Sequence, residues 1–256
     1  KKKSGPKFPD QPQLFLLPLD GGEPERLTDL PFGAADARWF PDGKRIAFLC
    51  SVFADKPSTE EAARRKKERE DDPCKVHVSE DRIFRYWDHW LTDGRVHHLF
   101  AMDLDSREIM DLTPGWKRWF SPEEPYGQYR ISPDGREIAF GACASDPPHD
   151  PWLWSVFTVG VPPVIRAGAR AGRIRKIASP EFRDTSGPQY TPDGRWIIYG
   201  MSREFDFYAD KTRLVALNRA TGKHTVLTEA WDRSASGWGF SADSRTIYIR
   251  AEDRAR

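Results

Sequence analysis

Apolar residues along this chain alternate with polar ones in short runs, and the runs recur in register. Four segments align without gaps: ARWFPDGKRIAF, YRISPDGREIAF, PQYTPDGRWIIY and WGFSADSRTIYI. Their turn aspartates are Asp42, Asp134, Asp193 and Asp243. Pro41, Pro133 and Pro192 preset φ at the second turn position, and Gly43, Gly135 and Gly194 accept positive φ where the chain leaves the turn. The fourth copy has Ala242 and Ser244, so its turn is less strongly encoded. A strand follows each turn: Ile46, Ile138, Ile197 and Ile247 form one column, and Phe48, Phe140, Tyr199 and Ile249 the next on that face. The column between them, Ala47, Ala139, Ile198 and Tyr248, is also apolar, which predicts strands sandwiched between layers.

A second unit alternates with the first. QLFLLPLDGGEPERLTD, HLFAMDLDSREIMDLTP and TRLVALNRATGKHTVLTE each read as strand, turn, strand, ending in Leu-Thr. A degraded copy runs from Trp152 to Ile177. Two hairpins per repeat give a four-stranded antiparallel sheet, the blade of a β-propeller. The predicted class is all-β, with about four blades' worth of sheet. Residues 13–30 form the outer hairpin of a first blade, 32–113 a blade with an insertion near 55–82, 125–180 and 184–229 two more, and 232–253 the inner hairpin of a last. Joining the ends would close a four-bladed ring; the alternative is an arc of a larger ring.

The insertion contains KPSTEEAARRKKEREDD. Ser58 or Thr59 can cap a helix there, with Glu60–Arg64 and Glu61–Arg65 as i,i+4 pairs. Its charge predicts a solvated helix, with a flap or a partner contact as the functional alternative. Lysines and arginines number 40 and aspartates and glutamates 39, so no global field draws the chain to nucleic acid or an anionic membrane. No apolar run approaches the ~20 residues of a membrane span. No signal peptide is visible at residue 1, so cytoplasm and periplasm both stay open. Cys50, Cys74 and Cys143 share no metal-knuckle spacing and are expected as buried thiols. No cofactor motif is present.

Chemistry is sparse. No G-x-S-x-G elbow, Walker loop or H-E-x-x-H occurs, so the chain is expected to lack catalysis of its own. The densest stretch is RYWDHWLTDGRVHHLF, residues 85–100. Asp93-Gly94 between aromatic runs predicts a hairpin. Counting outward sets Trp90 against His97, and His89 against His98, with Asp88 diagonal to His97. Two histidines without a third ligand do not make a zinc site, so no metal is expected, and packed aromatics with satisfied polar groups is the plainer reading.

The motif R-x-W-D-x-W followed by H-L-F, here Arg85, Trp87, Asp88, Trp90, His98, Leu99 and Phe100, resembles a propeller signature of prolyl-oligopeptidase-family serine peptidases, closest to their acylaminoacyl-peptidase and dipeptidyl-peptidase branch. A second patch is similar to F-E-A-D-R-x-R-L of that branch: Phe207, Ala209, Asp210, Arg213 and Leu214 match, while Tyr208 and Lys211 depart. The resemblance implies the non-catalytic propeller portion of an oligopeptide-cleaving peptidase, partnered by a C-terminal α/β-hydrolase domain and compatible with oligomerisation. It implies gating and peptide selection, with Arg85, Asp88, Trp90, His98, Asp206, Tyr208 and Asp210 as candidate substrate contacts. It favours the arc over the closed ring. The family's double-Glu amine anchor has no counterpart, because Glu60-Glu61 and Glu123-Glu124 lie in other contexts. The alternative is a freestanding TolB-like propeller that binds proteins.

Overall fold

A computed structural model describes residues 10–55, 58–121, 126–166, 168–204, 207 and 209–253. The chain divides into two compact units: residues 1–127 with 147–149 and 164–171, and residues 128–146 with 150–163 and 172–256. Both are built of antiparallel sheet, in the β-propeller pattern of four-stranded blades.

In the first unit, β1 (Phe15–Leu16) pairs with β2 (Glu25–Arg26). A complete blade follows, ordered β3 (Ala35–Trp39), β4 (Arg45–Phe53), β7 (Arg95–Asp103), β8 (Ile109–Asp111). Between β4 and β7 lie α1 (Thr59–Asp71) and a small hairpin of β5 (Arg85–Tyr86) and β6 (His89–Trp90). Leu14, Leu27 and Leu30 pack on Ile46, Phe48 and Met102, which joins the first hairpin to the blade through one core.

The second unit holds two complete blades. One is β9 (Tyr129–Ile131), β10 (Glu137–Cys143), β11 (Trp154–Gly160), β12 (Arg175–Lys176); the other is β13 (Asp184–Tyr190), β14 (Trp196–Ser202), β15 (Arg213–Asn218), β16 (His224–Val226). A two-stranded sheet, β17 (Gly237–Phe240) and β18 (Ile247–Arg250), completes it. Among the described residues β18 pairs only with β17.

The strand columns do what their chemistry predicts. Ile197 and Tyr199 face Ala139 and Val156 of the preceding blade, while Ile198, between them, packs with Leu214, Ala235 and Trp238 on the opposite side. Both faces of β14 are therefore core. The aspartates of the turns accept from the backbone two residues on, at 2.9–3.1 Å, and so close each turn locally. Ser132, Thr191 and Ser241 donate to their aspartates at 2.6 Å. Phe40 replaces that hydroxyl in the first copy, and there Arg45 donates to Asp42 instead, at 2.7 Å. Gly43, Gly135 and Gly194 have φ of 66–67°, and Ser244 holds the same left-handed conformation at 61°.

The Leu-Thr ending also has a structural cause. The hydroxyls of Thr28, Thr113 and Thr228 accept from the amides of Leu14, Leu99 and Leu214 at 2.9–3.0 Å, clasping the outer hairpin's two strands. In the degraded copy Ala178 stands where the threonine would. The orphaned Val156 amide donates instead to Thr185 of the next blade, at 3.1 Å. A clasp within a blade has become a clasp between blades.

The helix forms where its caps predict. Ser58 Oγ accepts from the Glu61 amide, and Glu61 receives Arg65 at 2.8 Å. Arg64 turns to Glu61 and Glu68 rather than to Glu60. Ala62 alone is buried, and Lys66 donates to the Pro31 carbonyl at 3.3 Å. Cys50 and Cys143 are buried thiols as expected; Cys74 is exposed, in the solvated stretch that follows α1.

The hairpin expected across Asp93-Gly94 does not form. β7 runs along β4 through nine pairs, Arg45↔Asp103 to Phe53↔Arg95, and its other edge takes β8. A strand has two edges, and both are used. Residues 85–90 therefore fold on themselves, with Arg85 against Trp90 and Tyr86 against His89. His98 stands opposite Cys50, not His89, and Asp88 is not diagonal to His97.

Candidate functional site

The small hairpin lies in the insertion and presents an exposed tryptophan and an exposed aspartate. Its turn is Trp87-Asp88, and Trp87 sits at φ 50°, an uncommon conformation for a bulky residue. Arg85 Nε donates to the Trp87 carbonyl at 2.7 Å, and its guanidinium lies 5.0 Å from the Trp90 ring. Trp90 stacks on His77 with centroids 4.1 Å apart, and His77 Nδ1 lies 2.8 Å from the Thr92 hydroxyl. Arg85 and Trp90 thus hold the hairpin's shape. The tip is left free: Trp87 is 79% exposed, and the Asp88 carboxylate is 85% exposed beside His89 at 3.3 Å. Tyr86, Trp87, Asp88 and His89 line a shallow depression of about 480 Å³. A carboxylate flanked by aromatic rings suits a cationic or polarised ligand; it supplies no nucleophile.

The insertion is anchored by a pair that no motif announces. His149 is buried, with φ 53°, and its Nδ1 lies 2.7 Å from Asp81 Oδ2. The Arg82 amide donates to the Pro148 carbonyl at 3.2 Å. These bonds fix residues 81–82 a few positions before the hairpin. No spacing rule links two residues 68 apart, so only the fold reveals them.

His98 lies inside the blade and is fully buried. Its Nδ1 meets Asp111 Oδ2 and its Nε2 the Trp116 carbonyl, both at 2.9 Å. The two contacts fix the orientation of the ring within the blade. Asp111 also accepts from the Thr113 amide at 2.9 Å, which orients the threonine that clasps Leu99. His98 therefore shapes the outer hairpin of its blade. Its neighbour His97 is held well below the usual histidine range, at about 4, by burial and then by the Arg95 charge. Between the blade and α1 lies a cavity of about 290 Å³, lined by Phe32, Phe53, Phe100, Ala62 and Cys50, with Asp111 at its polar side. Burial, then the Asp111 charge, pushes the Cys50 thiol up to about 12.

In the second unit, Asp210 closes the loop between β14 and β15. Its carboxylate accepts from the amides of Arg203 and Glu204, at 2.6 and 3.1 Å, and from Arg213 at 3.0 Å. Burial works against the charge, but these donors outweigh it and hold the carboxyl below its ordinary value. Arg203 and Arg213 also share Glu229. The matching residues Asp210 and Arg213 of the second motif are thus internal partners. Asp206 and Tyr208, and also Glu123 and Glu124, lie outside the described residues.

No protein-family model matches the chain. Comparison with curated proteins finds dipeptidyl-peptidase 5 of Porphyromonas gingivalis, 24% identical over 93% of this chain and 40% of that protein. Dipeptidyl-peptidase 5 of Aspergillus fumigatus is 28% identical over 67% of this chain and 26% of that protein. Among solved structures, the acylaminoacyl peptidase of Pyrococcus horikoshii superposes with a TM-score of 0.58 at 11% identity, over 93% of this chain and 32% of that one. The chain spans two fifths or less of the length of these relatives. The resemblance carried by residues 85–100 and 207–214 thus extends along nearly the whole chain, and the fold it implies is the one observed.

Proposed function

We propose that this chain is the non-catalytic propeller portion of an oligopeptide-cleaving serine peptidase of the prolyl-oligopeptidase family, and that it gates and selects peptides for an α/β-hydrolase domain. The observation that carries the reading is the match to dipeptidyl-peptidase 5 over 93% of the chain. Asp88, beside Trp87 and Tyr86, is the exposed group suited to meet a peptide, and Arg85 and Trp90 set its position. His98 and Asp210 act as positioning residues, each engaged by partners of its own blade. Asp206 and Tyr208 belong to the same proposed contact set by motif alone.

The test has two parts. The purified chain, assayed with acyl-aminoacyl and dipeptidyl fluorogenic amides, should show no hydrolysis and no labelling by a fluorophosphonate; serine-reagent-sensitive turnover would sink the reading. A polypeptide joining this chain to an α/β-hydrolase domain should cleave short peptides, and Asp88→Ala in it should raise KM with little change in kcat. An unchanged KM would remove Asp88 from the selection role.

A further inference from the structure

The segment between Asp150 and Glu181 contains no acidic residue but carries Arg166, Arg170, Arg173, Arg175 and Lys176. Among the described residues, none of these five takes part in an ion pair, and all five are exposed. The last of them belong to the outer strand β12. Gly172 brings the chain to that strand by packing against Gly160, so closely that a Cβ would sit 2.9 Å from the Gly160 Cα. Register then fixes direction: Arg175 pairs with Thr158, and Lys176 with Phe157, so the two cations point to opposite faces.

The Arg175 face opens on a cleft of about 540 Å³ between the outer strands of the two blades of the second unit. Its floor is apolar, made of Ile177, Ile197 and Leu217. Glu137 is the one acidic side chain in its lining, and it is already occupied, by Tyr190 at 2.9 Å and Arg219 at 3.2 Å. His224 is likewise engaged, through Nε2 and the Ile177 carbonyl at 3.0 Å. The cleft therefore combines an apolar floor, a neutralised Arg219–Glu137 pair and one uncommitted guanidinium.

We propose that this cleft binds an acidic peptide segment, with a carboxylate on Arg175 and an adjacent apolar side chain on the Ile177–Ile197–Leu217 floor. Charge complementarity selects the carboxylate, and planar guanidinium geometry favours a two-point contact. The apolar floor sets the site against a polyphosphate backbone, which offers no apolar group to cover it. The site lies on the blades' outer strands and does not depend on the peptidase reading.

The probe is a fluorescein-labelled peptide alternating leucine and aspartate, titrated with the full chain by fluorescence anisotropy at low ionic strength. Its asparagine counterpart is the control. The aspartate peptide should bind, and the asparagine peptide should bind at least about tenfold more weakly. Arg175→Glu should weaken the aspartate peptide by about tenfold or more, while Lys176→Glu, the same charge change on the opposite face, should alter it less than about threefold. Equal losses from both variants would reduce the effect to bulk charge and overturn the proposal, as would no binding. Tighter binding of an oligonucleotide, weakened by Arg175→Glu, would also overturn it and reassign the cleft to nucleic acid.

Discussion

Ser244 occupies the left-handed position that glycine holds in the other three turns. An L-residue there costs about 1–2 kcal/mol. Its hydroxyl, however, accepts from the Asp193 amide of the neighbouring turn at 3.0 Å, a bond worth about 1 kcal/mol. The two effects nearly cancel. Ser244→Gly is therefore expected to leave stability within about 0.5 kcal/mol, whereas Ser244→Ala keeps the strain and loses the bond, costing about 1 kcal/mol by urea denaturation. His98 has no such compensation. His98→Ala would remove one donor each from the Asp111 carboxylate and the Trp116 carbonyl and empty a fully buried position, and should cost about 3 kcal/mol in the same assay. A cost below about 1 kcal/mol would show that the Asp111–Trp116 network is dispensable. His98 ranks as a site candidate by sequence because it opens the H-L-F motif that carries the resemblance; only burial and two acceptor partners mark it as a structural histidine.

Elements whose signals are local are legible in the sequence itself. The Pro-Asp-Gly turns, the capped helix and the two-faced strands each depend on residues within a few positions of one another. Strand pairing over distance is not legible in this way. The pattern of residues 85–100 satisfies every hairpin rule, yet β4 outcompetes it with nine pairs from more than 40 residues upstream. The pair His149–Asp81 is hidden for the same reason. It should clamp the insertion: His149→Ala is expected to speed limited proteolysis between α1 and the small hairpin, with cleavage sites mapped by mass spectrometry. An unchanged cleavage rate would mean that α1 and Thr92 hold the insertion without it.

At the scale of the whole molecule, the repeated turn aspartates act together. Hydrogen bonds from Ser132, Thr191 and Ser241 hold Asp134, Asp193 and Asp243 below their ordinary carboxyl value; for Asp42, burial opposes but its backbone and Arg45 donors prevail. A lowered folded value means stability that is complete above the unfolded value, near 3.8, and lost as pH falls through the folded ones. Melting temperature should therefore fall steeply below about pH 4, and Ser132→Ala should move the Asp134 titration upward in a carboxyl-detected NMR series. A flat acid limb would show that the turns do not carry the acid sensitivity. Total charge is nearly balanced, and the basic stretch ending in β12, with no acidic residue between Asp150 and Glu181, is a local departure from that balance.

Among the described residues one edge of β18 takes no strand, which bears on how a polypeptide of these 256 residues behaves in a tube. Unpaired amides and carbonyls on a strand that also shows Tyr248, 63% exposed, and Ile249 offer a template for another strand. Solutions of the chain alone should grow larger species as concentration rises, visible as a climbing weight-average mass in light scattering. Tyr248→Lys should suppress that growth by placing a charge on the contact. A mass independent of concentration would show the edge to be protected. Purification, storage and crystallisation would all inherit this tendency from four residues at the margin of one sheet.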